Sequence, residues 1–254
     1  MKYLAKRIYY MKSAEYEHKK VIEEYTNATN KIGLWKSEQM IFSEHIKPTD
    51  KILDVGCGAG RTTFALYELG YHDIIGIDLS KGMINSCTLT KKEKELDIQF
   101  LTADATKLPF ETETFDVCIF LFNGLMTIPK LENRLKAMQE ISRVLKSGGK
   151  FIFTTHDNNS PEFIDYWTEE KIKWEKGLQD KRLYEYGDLI FQKHAEYGDA
   201  INFVHVPQDN EIEEGLEQSG FSVIYKENRS RICEETDAVK NFSADCLFWI
   251  AEKQ

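Results

Sequence analysis

The stretch Ile52-Leu53-Asp54-Val55-Gly56-Cys57-Gly58-Ala59-Gly60-Arg61 decides how the rest of the chain is read. An apolar run broken only by Asp54 gives way to glycine at every second position. That is the pattern of a buried strand turning into a helix through a loop whose backbone can approach a ligand that a Cβ would exclude. The common phosphate-binding readings fail here. Counted from Gly56, the sixth position of a G-x-G-x-x-G fingerprint is Arg61, and no G-K-[ST] follows. Asp54 also stands where a phosphate would have to sit, and a carboxylate there suits a cationic or ammonium-bearing ligand instead.

Outward from this loop, short Ile/Val/Leu/Phe runs alternate with helix-patterned stretches, the signature of a parallel sheet with crossover helices. Strands are expected at 51–55, 73–79, 98–104, 115–121 and 150–155. Helices are expected at 62–69 (ending at Gly70), 81–96 and 131–145, the last with a left-handed cap at Gly148-Gly149. Beyond residue 156 a Trp- and Lys-rich stretch, 161–182, reads as a helix. The runs 188–192 and 201–206 read as a hairpin, 209–219 as an acidic helix, and 221–225 and 246–251 as closing strands. The three acids Asp54, Asp78 and Asp104 all end strands at one edge of such a sheet, where open α/β folds bind ligands.

Composition narrows the classes. The 254 residues are 42% apolar and 30% charged, an ordinary globular balance, and the longest apolar run, Val117–Phe122, is far too short to span a bilayer. The formal charge is −9, which argues against a surface built to neutralise nucleic-acid phosphates, although residues 1–47 alone carry nine Lys/Arg against six Glu. The five cysteines form no C-x-x-C pair, so neither a disulfide framework nor a zinc site is written here, and no metal is expected. Cys57, inside the loop, is either a reactive thiol or a small buried residue. Charge interrupts the N-terminal segment before a signal core forms, so a cytoplasmic location without membrane attachment is expected.

With these motifs in view, the loop resembles the first motif of the class I S-adenosylmethionine-dependent methyltransferases. Three further segments follow in family order: Ile75-Gly76-Ile77-Asp78-Leu79-Ser80; Leu101-Thr102-Ala103-Asp104-Ala105-Thr106 with Leu108-Pro109-Phe110; and Phe115-Asp116 through Leu121-Phe122-Asn123-Gly124. Residues 140–155 are similar to the helix-turn-strand that comes next in the family. The resemblance implies a doubly wound, mostly parallel, seven-stranded Rossmann-like α/β sheet. Its parts would be an N-terminal helical lid at 1–47, a cofactor-binding core at 48–156, an inserted helix-hairpin cap at 157–206 and a completion of the sheet at 207–254.

The resemblance also implies the cofactor, S-adenosyl-L-methionine, with S-adenosyl-L-homocysteine as product. Carried over by position, Asp54, Gly56, Gly58 and Gly60 bind its amino-carboxylate end, Asp78 its ribose, and Asp104 and Ala105 its adenine, with Leu79 and Leu121 alongside. Tyr10, Tyr16, Phe122 and Asn123 are the expected substrate contacts.

Methyl transfer needs alignment and desolvation, and a base only for some nucleophiles. His156, after the fifth strand, and His205, at the end of the hairpin, are the candidate bases. The expected acceptor is an amine nitrogen of a small molecule, handled by a monomer or homodimer. Alternatives are a tRNA or other RNA, a quinone-type hydroxyl, or a cofactor-binding sensor without turnover.

Overall fold

The structure, a computed structural model, describes residues 16–160, 164–191, 202–208 and 210–254. Tyr10 and the N-terminal part of the expected lid lie outside them. Among the described residues, the helices α1 (Lys19–Lys31) and α2 (Lys36–His45) precede the sheet. Then come β1 (Ile52–Val55), α3 (Arg61–Glu68), β2 (Ile74–Asp78), α4 (Lys81–Glu93), β3 (Gln99–Thr102) and β4 (Phe115–Phe120). A single 3-10 turn at Gly124–Thr127 leads into α5 (Leu131–Val144) and β5 (Leu145–Thr155). The remaining elements are α6 (Ile164–Glu175), β6 (Asp188–Phe191), β7 (Asn202–His205), α7 (Glu211–Gln218), β8 (Phe221–Asn228), α8 (Arg229–Ile232), α9 (Asp237–Phe242) and β9 (Leu247–Lys253).

Seven strands form one sheet in the order β3-β2-β1-β4-β5-β9-β8. The first five run parallel, and β9 enters antiparallel between β5 and β8. Strands β6 and β7 pair antiparallel as a separate hairpin. The expected doubly wound α/β architecture is therefore the observed one.

Both faces of the sheet are covered, so its strands read as continuous apolar runs rather than alternating ones. Leu53, Cys118, Phe120, Phe151, Phe153 and Trp249 face one core layer with α5 and α7, while Ile52, Val117, Ile119, Ile152 and Ile250 face the other with α2, α3 and α4. Phe153 stacks on Phe151 and Trp249 at 4.4 and 6.1 Å between ring centroids. Among the described residues no helix is long and apolar enough to cross a membrane.

Two local readings change. Gly148-Gly149 is not a helix cap: α5 ends at Val144, and Leu145 goes directly into extended backbone (φ −75°, ψ 143°), where it pairs in the sheet with Phe115 and buries its side chain. Residues 146–149 then bulge before pairing resumes at Lys150, with Gly148 at φ 72° inside the bulge. The closing strands are also joined through the two short helices α8 and α9, which the sequence reading passes over.

Replacing Phe153 by Ala should remove the centre of the stacked layer and lower the unfolding free energy by about 3–5 kcal/mol. A urea titration checks this, and a loss under about 1 kcal/mol would mean that the layer collapses onto the space.

Candidate active site

Strand β1 ends at Val55, and the chain turns through residues 56–60 before α3 begins. The turn is fastened to β2, because the Cys57 N–H donates to the Ile77 carbonyl at 2.9 Å and the Gly58 N–H to Asp78 Oδ2 at 2.9 Å. A Cβ on Gly56 would fall 2.5 Å from the Phe120 ring, so the missing side chain is what admits that ring. Gly60 caps α3 at φ 85°, and a Cβ there would meet Phe64 at 2.6 Å. Its part is to pack the helix start, and it does not line the cleft.

Above the turn lies a cleft of about 1350 Å³ of empty space including its open mouth. Asp54, Gly56, Gly58, Asp78, Leu79, Asp104, Ala105 and Leu121 border it. Asp54 is buried and accepts a 2.6 Å hydrogen bond from the Thr63 hydroxyl. Burial pushes its carboxyl up to about 7 against the opposing pull of Thr63 and Arg61. The Asp78 carboxyl is also pushed up by burial, opposed by N–H bonds from Ser80 and Gly58. Asp104 holds the N–H and hydroxyl of Thr106, each at 2.8 Å.

The N-terminal helices cover this edge. Ser80 Oγ donates to the Tyr16 carbonyl at 2.9 Å, Thr29 Oγ1 to the Ala59 carbonyl at 3.2 Å, and Tyr25 lies against the position a Gly58 Cβ would take. Arg61 anchors the cover by forking onto both Glu38 carboxylate oxygens at 2.6 and 2.7 Å and donating to the Gly33 carbonyl at 2.8 Å. Trp35 sits between the guanidinium groups of Arg61 and Arg229, 4.8 and 5.0 Å from its ring centre. Tyr16, Tyr25, Phe122 and Phe242 give the cleft an aromatic side. Phe122 stacks on Phe242 at 5.1 Å, and Tyr25 meets both edge-on.

The family pattern described as a methyltransferase domain matches residues 53–153 of this chain. The chain belongs to the class I S-adenosylmethionine-dependent methyltransferase family. It is 31% identical over 119 residues to the eEF1A lysine and N-terminal methyltransferase of Danio rerio, covering 45% of this chain and 17% of that protein. Over 138 residues it is 31% identical to phosphoethanolamine N-methyltransferase 3 of Arabidopsis thaliana, covering 53% and 27%. The chain thus spans less than a third of the length of these curated relatives. A solved S-adenosylmethionine-dependent methyltransferase of Methanosarcina mazei shares the fold at a TM-score of 0.66 and 22% identity, covering 87% of this chain and 98% of that one.

The residues bordering the cleft fit the family's cofactor. Asp78 accepts the Gly58 and Ser80 N–H groups on separate oxygens and keeps lone pairs for a diol. Asp54, among the described residues, has no ion-pair partner, and a ligand ammonium would supply one.

Several expected contacts are placed differently. Phe122 reaches the cleft, but Asn123 turns behind it. Both residues hold left-handed backbone (φ 52° and 57°), a strained pair secured by the Asn123 N–H on Thr154 Oγ1 at 2.9 Å. Asn123 Nδ2 donates to His156 Nε2 at 3.2 Å, and burial lowers that imidazole to about 4, so it is neutral at pH 7. Neither His156 nor His205 lines the cleft. His156 has its acceptor nitrogen occupied, and His205 is enclosed in an ion network with a carboxylate on each ring nitrogen. As a correction to the sequence reading, the geometry offers neither as a base at the acceptor. The Cys57 thiol is pushed far up by burial, which leaves the inert reading of the two. Arg61 and Phe242 are cleft residues that the sequence reading missed.

Because Asp54 is protonated in the folded protein up to about pH 7 but ionises near 3.8 when unfolded, the cofactor-free protein loses stability as pH rises between those values. Asp54→Asn should therefore make the cofactor-free protein more stable than wild type at about pH 8, with the gap closing near pH 4. Thermal melts across that range test the sign, and an Asn variant less stable at pH 8 would show that Asp54 is better solvated than its burial indicates.

Proposed function

We propose that this chain transfers a methyl group from S-adenosylmethionine to the nitrogen of a small-molecule amine. The observation that carries the reading is the aromatic side of the cleft, Tyr16, Tyr25, Phe122 and Phe242, set over the glycine turn. Rings of this kind exclude water, and their faces favour a positively charged or alkylated nitrogen. When bound, the cofactor supplies the electrophilic methyl carbon. The chain's own residues hold and align: Asp54 faces the cofactor's ammonium, Asp78 with Leu79 the ribose, Asp104 with Ala105 the adenine, and Leu121 the wall beside them. An amine needs only to be neutral when it attacks, which agrees with a cleft whose described wall holds no histidine. A phenol acceptor of the quinone type would want such a base within reach.

The similarity to phosphoethanolamine N-methyltransferase 3 supports a small amine. The similarity to the eEF1A lysine and N-terminal methyltransferase supports the same acceptor atom carried on a protein, and this is the second reading. RNA is disfavoured by the net charge of −9. The lid at 1–47, with Tyr10 and Tyr16 as substrate contacts expected from the sequence, the core at 48–156, the cap at 157–206 and the completion at 207–254 complete the reading. So do a cytoplasmic setting, a monomer or homodimer, and chemistry that calls for no metal.

Calorimetric titration should show saturable binding of S-adenosylmethionine and S-adenosylhomocysteine but not of NADH. Below pH 7, cofactor binding should release a proton from Asp54, and this release should vanish in Asp54→Asn. Binding of the cofactor with no proton released at about pH 6 would remove Asp54 from the ammonium.

Transfer of labelled methyl should favour small primary and secondary amines over phenols and tRNA. Phe242→Ala should cut kcat/KM by about tenfold or more, as expected for losing a packed aromatic contact. Label appearing on a phenol or on RNA in preference to every amine would overturn the acceptor assignment.

A further inference from the structure

On the far side of the cleft from the lid, the hairpin and α7 meet α5 through a buried cluster of charge. Arg134 on α5 is 1% exposed. It pairs with Glu185 through Nη1 and with Glu211 through Nη2, both at 2.7 Å. His205 at the end of β7 is equally buried, with Nδ1 2.8 Å from Asp188 Oδ1 and Nε2 2.7 Å from Glu211 Oε2. Asp188 Oδ2 accepts the N–H groups of Tyr184 and Glu185 at 2.8 and 3.1 Å.

Both ring nitrogens of His205 therefore face carboxylate oxygens at hydrogen-bond distance. A neutral imidazole has one N–H, so one of these contacts would become lone pair against lone pair, whereas an imidazolium donates to both. The two cations, Arg134 and His205, balance most of the charge of Glu185, Asp188 and Glu211. Glu185, Asp188 and His205 bring ligand-type atoms within 4.8 Å of one another. With the Arg134 guanidinium against the same group, that arrangement has its cation already.

The cluster also touches the cleft. Arg134 Nη1 lies 3.4 Å from the Ile128 carbonyl, and the Leu131 N–H donates to Glu185 at 3.3 Å. Between them, Ile128 and Pro129 form part of the cleft wall, and Lys130 is held at φ 69°.

We propose that Arg134 and the His205 imidazolium are positioning residues that fix the Ile128–Leu131 wall of the cofactor cleft, so that the shape of that wall depends on one proton. The inference rests on the reading of the cleft as the cofactor site. Loss of the proton leaves Glu211 Oε2 or Asp188 Oδ1 facing a ring lone pair instead of a donor. Arg134 is the neighbouring cation that would shift to compensate, drawing away from Ile128 and Glu185.

Among the described residues, the charged groups facing His205 are Glu185 and Asp188 from the hairpin side, Glu211 from α7 and Arg134 from α5. Burial lowers the imidazole, but its bonds to Asp188 and Glu211 outweigh that and raise it above 6.5. The cluster's contribution is thus complete below about pH 6.5 and is lost as pH rises through the higher folded value.

The test follows backbone hydrogen exchange at residues 126–131 and the affinity for S-adenosylhomocysteine from about pH 6 to pH 9.5, with the His205 ring nitrogens read by NMR. In the wild type, both nitrogens should carry protons at pH 7. Exchange at 126–131 should rise about tenfold beyond the intrinsic pH trend across the His205 titration, and affinity should fall in parallel. His205→Asn and Arg134→Met should show the raised exchange at every pH, and the milder Glu211→Gln should move the wild-type midpoint to lower pH. A neutral His205 ring at pH 7, or wild-type exchange that follows only the intrinsic trend, overturns the proposal. So does an affinity that stays level while exchange rises. If the homologue binds at no pH, the cofactor reading fails, and the ring and exchange measurements decide the wall-fixing role by themselves.

Discussion

Strand β1 lies between β2 and β4, and the chemistry available at the carboxyl edge of the sheet follows from that placement. The crossover leaving β1 goes one way, to β2, and the chain returns from β3 to β4 on the other side. The connections above the end of β1 therefore diverge and leave a crevice. The glycine turn floors it, and the Gly58 N–H on Asp78 joins the turn to the end of β2. With β1 at the edge of the sheet, Asp78 on one flank and Leu121 on the other would not face a common space.

That crevice keeps a buried carboxyl, Asp54, without an ion-pair partner among the described residues, at a cost in stability once it ionises. Arg61 borders it but is taken up by Glu38 and the Gly33 carbonyl, so its charge serves the lid rather than cancelling Asp54. Breaking such a buried pair from one side typically costs about 3–5 kcal/mol. The lid is therefore fastened by an arginine, whose charge is permanent near neutrality. Asp54 meanwhile retains the unbalanced burial that a cationic ligand would relieve.

The sheet was legible because each parallel strand is covered on both faces and so announces itself as an apolar run, and because an acid ending such a run has few structural uses. Asp54, Asp78 and Asp104 border the cleft on that logic. What escaped was whatever depends on which way a side chain leaves the backbone or on distant segments meeting. Phe242 arrives from a connection between the last two strands, about 120 residues from its stacking partner Phe122, with no periodic pattern to mark it. Asn123 and His156 occupy strand ends, as expected of site residues. The left-handed turn at Phe122-Asn123, however, sends the ring into the cleft and the amide behind it, and no sequence pattern signals such a turn at two non-glycine positions. His205 was misread for a related reason: a polar residue closing an apolar run marks either a site or the core of an ion network. Only its partners, contributed by Asp188 and Glu211, tell the two apart.

The cleft is thus held from two sides by ion networks whose cations differ in chemistry. On the lid side, the cation is an arginine in a bidentate pair, stacked on Trp35 and charged at any pH the protein survives. On the hairpin side, one of the two cations is a histidine, and a buried lysine or arginine at that point would have given a permanent link. A histidine with a carboxylate on each nitrogen tightens the wall only while it holds both protons. The lid tether is therefore a constant of the fold, and besides the titration of Asp54 in the cleft itself, a response of the Ile128 wall to pH enters from the hairpin, through His205 and Arg134.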